Sequence, residues 1–142
     1  MLLIGSHALI HCAGDIGRKP RDYVLIGSFT ELSLLTQRLR KETKLNSIPL
    51  TPNKTVLKCD DGRIVEFEIA WDDSSGHDLI RAFGAPGYLR YVNLFGQKVP
   101  TADLDTLYSL KMSHRYLKNS PHFKKTRDDI MFMRQRGANI FS

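Results

Sequence analysis

The sequence predicts a single α/β domain over residues 1–142, a mixed β-sheet flanked by helices within residues 1–100 and a helical C-terminal third over residues 101–142. Three observations predict it. Short apolar runs of period two lie between turn-forming residues, as in Val65, Phe67 and Ile69 alternating with Glu66, Glu68 and Ala70, and half-buried strands require that pattern. In the first half, apolar residues also recur at three-to-four spacing, as in Leu32, Leu35 and Leu39, so helices are interleaved with strands. Beyond Pro100 the strand pattern stops and two helical stripes follow, Leu104, Leu107, Tyr108 and Met112, then Phe123, Ile130, Met131 and Met133. With 42% hydrophobic and 25% charged residues, the chain can bury one core of ordinary size.

In chain order, Leu2-Leu3-Ile4 reads as a short strand within residues 1–4, and Gly5-Ser6 as the turn into a helix over Ser6–Cys12. Ala13–Pro20 is a loop broken by Gly14 and Gly17. Tyr23–Ile26 is β-branched and aromatic enough for a buried strand, which Gly27-Ser28 ends. The next helix runs to about Lys44. Thr30 is its expected cap, without a capping box, because Ser33 stands three residues on. From Ile48 to Trp71 the pattern is of strands, with Asp60-Asp61-Gly62 turning a hairpin between Lys54–Cys59 and Arg63–Trp71. An acidic loop over residues 72–76 leads to a short helix, His77–Phe83, and Tyr88–Leu94 reads as the last strand. Gly96–Pro100 then leads into the C-terminal helices, with Thr101 as the cap of the first and Pro121 in the opening turn of the second.

Composition excludes several function classes. Cys12 and Cys59 form neither a disulfide framework nor a spaced metal motif, which points to a reducing compartment and away from zinc. His7 and His11, one helical turn apart, lack a third ligand nearby in sequence. The apolar start has no basic leader and no stretch reaches membrane-spanning length, so the expectation is a cytoplasmic protein without a membrane partner. P-loop, dinucleotide and hydrolase-elbow motifs do not occur. The net charge of +6 is localised: eight Lys/Arg between Lys111 and Arg136 face only Asp128 and Asp129, which accounts for the whole excess. Such a basic region attracts phosphates, or else forms a solvated helical face.

The chemistry-bearing stretch is the start. Gly5-Ser6 between an apolar strand and a helix leaves the first helical N–H groups free beside a small hydroxyl, a setting that favours an anion such as phosphate. Asp22 then arrives with Arg18-Lys19-Pro20-Arg21 at the opening of the second strand. This order resembles the nucleotidyltransferase fold shared with DNA polymerase beta. The resemblance implies that Gly5 and Ser6, with Arg21 near them, hold nucleotide phosphates, and that an Asp-x-Asp pair on the second strand holds two magnesium ions. Asp22 fits the first aspartate, and Val24 stands where the second belongs. A third carboxylate comes in that family from a paired strand, so Glu66 and Glu68 join Asp22 as the implied catalytic and metal-binding residues, with magnesium as cofactor. Two-ion transfer needs several hard oxygen ligands within a few ångström, and one Asp with one Glu suits a single ion better than two.

A second constellation lies at Lys111, His114, Arg115 and Lys118, spaced so that a helix presents them on one stripe of phosphate size. The Lys-x-Ser-His run ending in Ser113-His114, followed by a helix with Lys124, Lys125, Asp129 and Ile130, resembles small phage-type nucleotidyltransferase-like proteins. The resemblance implies nucleotide binding by Lys111, Ser113, His114, Arg115 and Lys118. The plainer reading of His114 is a packing histidine bonded to a carboxylate such as Asp129. Two functions therefore stand open. One is a protein that binds a nucleoside triphosphate with magnesium and transfers a nucleotidyl group. The other is a catalytically degenerate fold relative whose basic helices bind nucleic acid or a partner protein, including a phage factor acting on a host protein.

Overall fold

The computed structural model describes residues 1–71, 90–113 and 123–139. These form a seven-stranded mixed sheet with helices against it. The elements are β1 (Leu2–Ile4), α1 (Gly5–Ala13), β2 (Tyr23–Gly27), α2 (Phe29–Glu42), β3 (Leu45–Pro49), β4 (Lys54–Cys59), β5 (Ile64–Ile69), β6 (Arg90–Leu94), β7 (Gln97–Thr101), α3 (Leu104–Ser113) and α4 (Phe123–Gln135). The expected helix at 77–83 lies outside the described residues.

The strand order is β3-β4-β5-β2-β1-β7-β6. β2 runs antiparallel to β1 and parallel to β5, with Tyr23, Val24, Leu25 and Ile26 opposite Val65, Glu66, Phe67 and Glu68. One face of this centre carries Leu3, Leu25, Val65, Phe67 and Leu57, all fully buried, in one core with Ala8 and Leu9 of α1 and Leu32, Leu35 and Leu39 of α2. Burying each large side chain there is worth roughly 1.5–3 kcal/mol. The period of two then sends Asp22, Val24 and Ile26, with Glu66 and Glu68, to the other face. No helix among the described residues is long and apolar enough to cross a membrane.

The structure corrects the sequence expectations in three places. Ser28, not Thr30, caps α2: its hydroxyl accepts from the Glu31 N–H at 3.1 Å, and the Glu31 carboxylate accepts from the Ser28 N–H at 3.0 Å, a complete capping box. Asp103, not Thr101, holds the start of α3, accepting from the Thr106 N–H at 2.9 Å, while Thr101 is the last residue of β7. Residues 97–101 are a strand rather than a lead into helices. β7 pairs with β6 around Phe95-Gly96 and lies parallel to β1 through Leu3 and Thr101. Both turn residues have positive φ, 52° and 75°, the conformation of a tight two-residue hairpin. Phenylalanine is an unusual choice for it, and the buried Phe95 ring, edge-on to Tyr23 at 5.3 Å, holds the residue there.

Candidate functional site

β1 ends against the start of β2, so the β1–α1 turn and the opening of β2 come together. Gly5 takes a φ of +74°, and a Cβ added to it would stand 3.1 Å from Val24 Cγ2. Glycine therefore serves both the turn and the close approach. Ile4 precedes α1 without offering a side-chain cap, and α1 has no acidic residue in its first turn, so an anion there meets helical N–H groups without repulsion from the helix's own side chains.

Ser6 is buried, and its hydroxyl accepts from Arg18 Nη2 at 2.9 Å. The same guanidinium forks onto Asp129 of α4, with Nη1 to Oδ1 at 2.8 Å and Nη2 to Oδ2 at 3.1 Å. Lys111 of α3 brings its ammonium to 3.3 Å from Asp129 Oδ2. Asp129 is only 2% exposed, so this carboxylate is taken out of water and compensated by two cations from distant parts of the chain. Lys125, one turn before Asp129, belongs to the same electrostatic cluster. Partial burial, then the charges of Lys111 and Arg18, push its ammonium below the usual lysine range, against the opposing pull of Asp129 and Asp22.

Asp22 borders the cluster. Its Oδ1 is buried and has no hydrogen-bond partner. The ring of His7 lies on Tyr23 at 3.9 Å with the planes 8° apart. Burial, then the charge of His11, lowers the His7 pKa, while Asp22 raises it.

Of the residues read from the sequence, Gly5, Ser6, Asp22 and Lys111 come together here. Arg21 stands exposed, and the loop arginine that enters the cluster is Arg18. Lys111 is turned inward to Asp129 rather than held on a free basic stripe. His114, Arg115, Lys118 and the Ser113 side chain lie outside the described residues. Nothing in the sequence marked Arg18 as a site residue, because its partner lies 111 positions away. In the sequence Asp129 is part of the Lys124, Lys125, Asp129, Ile130 helix pattern and a carboxylate for His114, not a partner of Arg18.

The carboxylates do not converge as a two-ion centre. Glu66 is the cross-strand neighbour of Val24 and is paired with Lys54 at 3.4 Å, and Glu68 is the neighbour of Ile26. Continuing the register sets Asp22 opposite Ile64, which leaves Glu68 about 13 Å further along the strands at ~3.3 Å per residue, too far to share an ion with ligand bonds of about 2 Å. Among the described residues no group of three His, Cys, Asp or Glu side chains could hold a metal ion. Asp22, with its unpartnered oxygen, and Glu66 offer ligands for one ion at most; the donor set does not fit two.

Comparison with solved structures bears on the fold. The chain superposes on an antigenic nucleotidyltransferase-like protein from Paracoccidioides brasiliensis with a TM-score of 0.51 and 18% identity, over 93% of this chain. It spans 66% of that protein, just under two thirds of its length. It also superposes on the lincosamide antibiotic adenylyltransferase LnuA with lincomycin bound, with a TM-score of 0.53 and 15% identity, over 94% of this chain and 84% of that one. At these identities the likeness shows the fold, which is that of nucleotidyltransferase-like proteins. No curated protein matches the sequence. Residues 1–131, covering every element of the sheet and the cluster around Asp129, match the family described as a domain of unknown function, DUF7277, and the chain belongs to that family.

Proposed function

We propose that this protein binds a nucleoside triphosphate at the junction of β1, α1 and β2, with the phosphates against the α1 N-terminus and the cations gathered there. The observation that carries the reading is the convergence of Ser6, Arg18, Lys111 and Lys125 on one site beside uncapped helical N–H groups. The fold neighbours support it: an adenylyltransferase works on a nucleotide, and this chain shares its architecture. Magnesium enters this reading with the triphosphate, Asp22 and Glu66 being the protein carboxylates nearest to offer it oxygen. Thermal unfolding with each of the four ribonucleoside triphosphates and magnesium tests the reading. At about a hundred times the dissociation constant a ligand adds about 2.7 kcal/mol of stability, which is a measurable shift. No shift with any of the four removes nucleotide binding.

Nucleotidyl transfer is the second reading, favoured by the unpartnered Asp22 Oδ1 on the face that carries Glu66. In it Asp22 carries the chemistry, so transfer of labelled nucleotide to RNA or protein should vanish in Asp22→Asn while nucleotide binding persists. Transfer retained by that variant overturns the assignment. Arg127, Arg134 and Arg136 remain exposed on and just after α4, and they supply a surface for nucleic acid as acceptor or partner.

A further inference from the structure

Two sides of the β1–α1 turn carry opposite characters. On the β2 side the position between Asp22 and Ile26 is occupied by the methyl groups of Val24, packed close against Gly5, and Glu66 across from it is engaged by Lys54. A divalent ion there would face hydrocarbon where a second carboxylate is needed, so little of a triphosphate's charge can be neutralised on that side.

On the other side three cations arrive from three separate elements: Arg18 from the α1–β2 loop and Lys111 from α3, both ion-paired with Asp129, and Lys125 from α4, one turn before Asp129 and so on the same helix face. Asp129 accepts from two of them and fixes where they point, and with Asp22 bordering the cluster the three cations still exceed the carboxylates by one. The side chains of Arg18 and Lys111 are 32% and 22% exposed, so each keeps surface from which further N–H donors can reach a ligand, and Lys125 is exposed. Arg18 and Lys111 are already held in place by Asp129, so a ligand would not have to order those two side chains.

We propose that Arg18, Lys111 and Lys125 take over the charge neutralisation that divalent ions would provide, so that the chain binds the triphosphate group of a nucleotide without requiring a divalent metal. The proposal rests on the nucleotide reading above and adds to it that binding survives removal of magnesium.

The test is equilibrium binding of ATP, GTP, CTP and UTP to the full chain, once with magnesium and once with excess EDTA, for the parent, Lys125→Ala and Lys124→Ala. Lys124 is the exposed neighbour outside the cluster and serves as the control for general charge. For the nucleotide that binds best, the dissociation constant should differ by less than about tenfold between magnesium and EDTA. In EDTA, Lys125→Ala should weaken binding about tenfold and Lys124→Ala less than about threefold. Binding with magnesium that falls by a hundredfold or more in EDTA overturns this inference and leaves the nucleotide reading standing. Equal weakening by the two lysine substitutions also overturns it, because the attraction is then diffuse. Absence of binding under both conditions overturns both.

Discussion

Arg18 lays its guanidinium across the Asp129 carboxylate from 111 residues away in sequence, with the two N–H to oxygen distances at 2.8 and 3.1 Å, while the same group donates to Ser6 at 2.9 Å. One side chain thereby ties the α1–β2 loop, the β1–α1 turn and α4 together. The pair is asymmetric: Asp129 is 2% exposed and Arg18 32%.

That asymmetry predicts unequal costs. Arg18→Ala leaves a buried carboxylate with Lys111 as its remaining cation and should cost about 3 kcal/mol, the low end of the 3–5 kcal/mol typical of breaking a buried pair. Asp129→Asn leaves cations that can turn to water and keeps an acceptor for Arg18, so it should cost about 1–2 kcal/mol. Urea unfolding of the two variants measures both. The account of the cluster fails if Asp129→Asn is the more damaging change.

Val24→Asp places a carboxylate between Asp22 and Glu66 on one sheet face. Without divalent ions the like charges repel, and the variant should unfold at lower temperature than the parent. Magnesium should restore part of the loss in Val24→Asp and shift the nucleotide-free parent little. A magnesium shift of equal size in both would show that the carboxylates present already hold an ion.

His7 is stacked on Tyr23 and its pKa lies below the ordinary 6.5, burial being the largest cause. The sign follows from linkage: between the lowered folded value and the unfolded value, the unfolded chain binds the proton more readily. The His7 contribution to stability is therefore complete above about pH 6.5 and declines as pH falls below it. Chemical denaturation of parent and His7→Gln between pH 5 and pH 7.5 should show a smaller pH dependence in the variant. An unchanged dependence would place the titration elsewhere.

Burial pushes the Cys12 thiol up to about 11, and Cys59 is raised as well, also chiefly by burial. Both should react slowly with a disulfide reagent at pH 8 in the folded protein and at ordinary thiol rates after unfolding. For Cys12 the unfolded chain loses its proton first, so the stability this thiol contributes is lost as pH rises from about 9 toward 11. Rapid native-state labelling at pH 8 would contradict the packing of α1.

The sequence by itself determined the elements whose signals are local. The alternation in Ile64–Ile69, the Asp-Gly turn before it and the leucine spacing of α2 each act within a few residues, and β5, the β4–β5 hairpin and α2 formed as those patterns require. Gly5-Ser6 before a helix and Asp22 before a strand were legible for the same reason, since turn geometry and strand alternation are short-range constraints. Even the cap of α2 is written in the sequence, as Ser28 with Glu31 three residues on, two residues before the expected Thr30. The β6–β7 hairpin was hidden because its turn uses Phe95, whose positive φ is held by packing on Tyr23 rather than by an intrinsic preference. Only the tertiary structure decided the charge arrangement. Sequence spacing set Lys111 on a basic stripe, but a buried carboxylate takes whichever cations the fold brings within reach, and the packing of α3, α4 and the α1–β2 loop brought Lys111 and Arg18 to Asp129. Whether Glu66 and Glu68 both reach Asp22 was likewise a question of strand register, and the parallel pairing of β2 with β5 set Glu66 opposite Val24 and moved Glu68 two residues further away.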